Sequence, residues 1–90
     1  MRYNISSASV RIGAFFRKHR RLLGMSGKIL GQKLNISQQH ISRLERGQAT
    51  FSIEIILQLL NEIDKTLLDL IVEVFYEDPS EVLIEYQRLR

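Results

Sequence analysis

Four side chains suited to reading a base pair fall in the run Ser37-Gln38-Gln39-His40-Ile41-Ser42-Arg43. A carboxamide donates and accepts at once, which matches N6 and N7 of adenine, and a guanidinium fork matches O6 and N7 of guanine. Ile41 and Leu44 have the spacing of a helix's inner stripe, so Gln38, Gln39, Ser42 and Arg43 project from its other side. Ser37 is a natural N-cap, which puts Gln38 and Gln39 in the first turn, beside backbone N–H groups that attract phosphate. The plainer alternatives are solvated glutamines and a phosphate, rather than a base, on Arg43; Ser42 suits either a base or a phosphate. Catalytic chemistry has no comparable set. His19 and His40 are far apart, neither has a nucleophile or carboxylate partner at a working spacing, and the chain has no cysteine. No enzyme activity, metal or cofactor is expected.

The net charge of +3 conceals a division along the chain. Residues 1–50 hold ten Lys/Arg against the single acid Glu45, a net of +9, and residues 51–90 hold three against nine acids, a net of −6. The first half suits phosphates, and the second would be repelled by them and should face away. Arg17, Lys18, Arg21 and Arg46 are the expected phosphate-binding cations, although Arg17 to Arg21 also fit a merely solvated helix face. The apolar runs are too short to span a membrane, and no membrane partner is expected. The absence of an apolar leader-like stretch near Met1 makes the cytoplasm the expected location, with nucleoid association when DNA is bound.

These side chains need elements to position them. Residues 1–9 are polar and Ser-rich and read as a flexible arm; a dip of Arg2 into a minor groove is the functional alternative. Ile12, Phe15, Phe16, His19, Leu22 and Leu23 give a helix over 10–23, stopped by Gly24. Ser26 caps a second short helix with Ile29, Leu30 and Leu34 inside. Asn35 and Ile36 make the turn into the helix that starts after Ser37 and ends at Gly47. Residues 51–61 are apolar nearly all round and predict a central buried helix. Leu67 to Phe75 predicts a fifth, although residues 71–76 also suit a strand. Asp78-Pro79-Ser80-Glu81 opens a last helix. The expected class is all-α: a helix-turn-helix DNA-binding domain over 10–76 and a C-terminal helical extension over 77–90.

Ile12-Gly13, Arg20, Gly24-Met25-Ser26, Leu30-Gly31 and Leu34-Asn35-Ile36-Ser37-Gln38-Gln39, with Ile41-Ser42, Glu45 and Gly47, resemble the Cro/phage-repressor (Xre-type) family over about residues 10–71. The Ser-Gln-Gln, Ile-Ser-Arg and Glu-Arg-Gly strings are also similar to the MrpJ-type regulators linked to fimbrial operons in enteric bacteria. The resemblance implies a five-helix repressor-like domain in which Gln38, Gln39 and Arg43 touch base edges. It implies an ion pair between Arg20 and Glu45, and phosphates held at the helix starts by the backbone at Ser26 and Thr50. Two positions depart from the pattern. Gly27 stands where the family often places a phosphate-clamping Gln, with Lys28 as a substitute, and Phe51 stands where the fourth helix often begins with Pro.

One short recognition helix buries too little to select a single site in a genome, so a homodimer on a palindrome is expected. Leu70, Val74, Phe75, Val82, Leu83, Tyr86 and Leu89 are its expected interface; a local clasp on the same domain is the alternative. The expected partner is double-stranded DNA, and the expected function is that of a sequence-specific transcription regulator, a repressor acting by occupancy. The competing reading is an antitoxin-like adaptor that holds a protein partner through the acidic C-terminal half.

Overall fold

A computed structural model describes residues 5–76 and 87–88. Its helices are α1 (Ile5–Leu22), α2 (Gly27–Leu34), α3 (Gln38–Glu45), α4 (Ile53–Glu62) and α5 (Leu67–Phe75). The described residues contain no strand. Residues 71–75, readable from sequence as helix or strand, continue α5. The proposed C-terminal helix, with Val82, Leu83, Tyr86 and Leu89, lies outside the described residues except for positions 87 and 88, which are helical.

Helices α2 to α5 each start on a hydroxyl. The N–H groups of Ile29, His40, Ile55 and Asp69 donate to the side chains of Ser26, Ser37, Ser52 and Thr66 at 3.0–3.1 Å. Each cap satisfies one of the donors that a helix start leaves without an intrahelical partner. At Thr66 the contact is reciprocal, because the Thr66 N–H donates to Asp69 Oδ2 at 2.8 Å and closes a capping box.

The core lies where all five helices meet. Phe15 and Phe16 of α1, Leu30 of α2, Ile41 of α3, Leu59 and Leu60 of α4, and Leu70 and Val74 of α5 are buried together, with Ile63. Phe15 and Phe16 pack edge to face, 5.3 Å between centroids. The turn between α2 and α3 is made by Asn35 in the left-handed region (φ 57°), and the Ile36 N–H donates to Gly31 O at 2.9 Å. Gly31 has no freedom to vary here: a Cβ would lie 2.7 Å from the Ile36 carbonyl oxygen. Gly13 plays the equivalent part between α1 and α3, where a Cβ would fall 2.6 Å from the Glu45 carbonyl oxygen. Two glycines therefore set how closely α3 is held from both sides.

Several expectations from sequence change. Residues 5–9, assigned to an arm, are the first turns of α1. Leu22 and Leu23 are exposed, because α1 runs past the core after His19. The fourth helix starts at Ile53 on a Ser52 cap rather than at Phe51; Phe51 instead packs against the core. Nor is that helix buried all round: Ile53 and Leu57, one turn apart, face outward. Ile29 of α2 is likewise exposed.

Candidate nucleic-acid interface

The recognition surface begins with the way α3 is clamped. Ile41 and Leu44 are almost fully buried, and Gly13 lets α1 press against the end of the helix. With that stripe fixed inward, Gln38, Gln39, Ser42 and Arg43 are all exposed, as the helical period requires. The structure brings these four predicted readers together on the outer edge of one eight-residue helix. His40 is half-buried beside them.

Glu45, the acid that would repel DNA, is neutralised from behind. Arg20 Nε donates to Glu45 Oε2 at 2.7 Å and Arg20 Nη2 to Oε1 at 2.9 Å, a two-pronged pair. Arg20 Nη1 also donates to the Met25 carbonyl at 2.8 Å. One guanidinium thus ties α1, the α1–α2 turn and the end of α3. Its hydrogen bonds to Glu45 raise the Arg20 pKa above its ordinary value against the opposing effect of burial, and the Glu45 charge adds to the rise. Both partners are sunk in the domain, so removal of either would strand a charge.

The surrounding cations are distributed unequally. Arg17, Arg21, Lys28 and Arg46 are exposed, as are Ser26, Ser37 and Thr50. Neither α2 nor α3 carries an acid in its first turn, so the positive ends of both dipoles are unopposed. Lys18 is exposed too, but its ammonium lies 3.3 Å from Glu73 Oε2, on the side of α1 that meets α5, which makes it a weaker candidate for phosphate than Arg17. Thr50 loses its assigned place, since α4 starts two residues later, at the cap of Ser52.

A cleft of about 160 Å³ opens between α1, α2 and α3, lined by Arg17, Arg20, Gly27, Gln38, Ser42 and Arg46, with Ile41 and Glu45 beneath. Arg46 Nε donates to the Ser42 carbonyl at 3.2 Å, and Arg43 Nη2 to the Gln48 carbonyl at 3.4 Å. Both arginines thus keep further N–H groups for a ligand.

Behind the recognition surface, His19 is buried against Phe15, 4.5 Å between rings, with Nε2 3.0 Å from Glu73 Oε1. This link between α1 and α5 joins residues 54 positions apart and had no local signal in the sequence. Leu70 and Val74 are a second correction: each is 3% exposed, so they fill the domain's own core and offer no area to a second chain. Phe75 is half-buried against that core. No group of described residues could hold a metal ion, and no helix among them is long and apolar enough to cross a membrane.

Comparison with known proteins gives one match of substance. A family model described as helix-turn-helix covers residues 16–70, from the middle of α1 into α5. No curated protein and no solved structure matches the chain. The matched span contains the clamped α3, the serine caps at Ser26, Ser37 and Ser52, and the Arg20–Glu45 pair, and takes in more than half of the sequence. The chain therefore belongs to the Xre/Cro-type helix-turn-helix family, whose members are DNA-binding transcription regulators.

Proposed function

We propose that this regulator binds a palindromic operator as a homodimer and represses transcription by occupying it. The carrying observation is the exposed edge Gln38-Gln39-Ser42-Arg43 on a helix whose other side is buried. In this reading Gln38, Gln39 and Arg43 meet base edges, and Ser42 meets a base or the backbone. Arg17, Arg21, Lys28 and Arg46, with the helix starts at Ser26 and Ser37, hold phosphates on either side. The protein would act in the cytoplasm, on the nucleoid.

Pairing is supported by apolar surface outside the core. Leu67 and Leu68 at the start of α5, and Ile53 and Leu57 on α4, are all exposed. Leu68 and its neighbours replace Leu70 and Val74 in the proposed interface, beside Phe75 and the apolar residues of the C-terminal segment. Two recognition helices would then read half-sites about 34–36 Å apart, or a multiple of that spacing.

A protein partner in place of the second copy is the other reading. It is favoured by the segregation of acids: Glu54, Glu62, Asp64, Asp69 and Glu73 all lie on α4, α5 and their connection. Selection of duplexes from a random library tests both. A selected motif with twofold symmetry supports the homodimer; a single asymmetric half-site supports the adaptor. Failure to retain any duplex at low salt overturns the DNA-binding reading altogether.

A further inference from the structure

We infer that the cleft beside Gly27 is a binding site for a small phosphate-bearing anion, and that filling it opposes operator reading. The anion site stands on the cleft alone; the competition rests on the DNA-binding reading above.

The cleft has the space and the charge for such a ligand. Its volume of about 160 Å³ is far above the ~10–15 Å³ that one water requires. It is open because Gly27 contributes no side chain. The Glu45 carboxylate in its floor has both oxygens engaged by Arg20, so that pair adds no net charge. What remains is cationic: Arg17 and Arg46 border the cleft, and neither is in an ion pair among the described residues. Ser42 supplies a hydroxyl and Gln38 an amide on the same walls. A guanidinium pair flanking hydroxyl and amide donors is chemistry suited to phosphate oxygens.

The position gives occupancy a consequence. Gln38 and Ser42 belong both to the cleft and to the edge proposed to read bases. An anion held there draws Arg17 and Arg46 inward, neutralises them, and engages the Gln38 and Ser42 side chains. The same oxygens come from two sources, a free phosphate compound or a phosphodiester of the DNA backbone. The Gly27→Leu variant and the titration with free phosphate distinguish the two sources.

The test follows amide shifts of Gly27, Gln38 and Ser42 in the full chain during titration with inorganic phosphate, against sodium chloride at matched ionic strength. Saturable shifts with phosphate alone are expected. Gly27→Leu should abolish them by filling the cleft; a Cβ there lies at ordinary contact distance, 3.7 Å from Ile41 Cγ2 and 4.0 Å from Gln38 Cγ, so the backbone need not move. Arg46→Ala should weaken binding by about tenfold or more. Phosphate should lower the wild-type affinity for duplex DNA and leave that of Gly27→Leu unchanged. Equal shifts with chloride, or saturable binding that survives in Gly27→Leu, overturn the proposal. No phosphate uptake by the wild type, together with weaker duplex binding by Gly27→Leu, also overturns it and makes the cleft a seat for the DNA backbone. Phosphate uptake by a protein that retains no duplex at low salt supports the anion site and overturns the operator reading and the competition with it.

Discussion

Neighbouring cations on one helix can have opposite fates. Arg17 and Lys18 are adjacent and both exposed, yet Arg17 borders the cleft behind the reading edge and Lys18 is paired with Glu73. If backbone phosphates are held on the α2–α3 side, Arg17→Ala should lower the salt slope of DNA binding by about one unit. Lys18→Ala should leave that slope unchanged, because its charge already faces a carboxylate. Affinity measured across a series of salt concentrations checks both; a slope that drops for Lys18→Ala would move the DNA to the other side of α1. The residue type alone gave Lys18 its charge, but the partner that absorbs that charge lies 55 positions away and had no local signal. Gln38 and Gln39 were legible for the opposite reason. Ser37 marks the helix start, Ile41 and Leu44 mark the inner stripe, and every other direction follows within one turn.

Among the elements, α5 depends most clearly on local chemistry. Its nine residues start on the reciprocal contact between Thr66 and Asp69. Thr66→Ala should cost about 1 kcal/mol of domain stability, within the usual range for a lost cap, as measured by urea unfolding; a loss below a few tenths would show that α5 needs no cap. The same helix should respond to acid. The backbone and side-chain hydrogen bonds from Thr66 hold the Asp69 carboxyl below its ordinary pKa. Burial pushes the Glu73 carboxyl upward, but hydrogen bonds and charge from His19, with a smaller share from Lys18, outweigh burial and leave it lowered. A carboxylate with a lowered folded-state pKa contributes stability that is present above its unfolded value, about 4, and is lost as pH falls through the folded value. The melting temperature should therefore fall as pH drops below about 4, and less steeply in Asp69→Asn; an identical slope in that variant would remove Asp69 from the account. Capping residues made the starts of α2 and α3 readable in the sequence, at Ser26 and Ser37. The start of α1 was not readable, because Ser6-Ser7-Ala8-Ser9 has the composition of a loose arm although residues 5–9 are helical. The exposure of Ile53 and Leu57 was equally hidden, since apolar residues on every side of α4 leave no period from which to choose the inner face.

At the scale of the molecule, charge and apolar surface divide the work. The acids of α4 and α5 lie away from the reading edge in sequence and share their elements with exposed Leu57, Leu67 and Leu68. That region is the proposed meeting place of two copies. Leu68→Glu should yield a monomer in sedimentation equilibrium and should weaken operator binding, while the fold persists because Leu68 is 58% exposed. A variant that sediments like the wild type would exclude this surface. The all-helical architecture was legible from periodicity and caps together. The interface was less so: Leu70 and Val74 carry the same pattern as a pairing stripe, and only the packing of α5 onto α1 shows that the domain's own core consumes them.

The claim that Arg43 and the two glutamines meet base edges is tested most directly by coupling protein and DNA changes in one cycle. Arg43→Ala should cost about 1–3 kcal/mol on the selected operator and relax preference at one guanine. Replacing that guanine by its 7-deaza analogue, which lacks the N7 acceptor, should weaken wild-type binding but have little effect on Arg43→Ala. Losses that simply add at every guanine, or that are equal on random DNA, would contradict direct reading by Arg43.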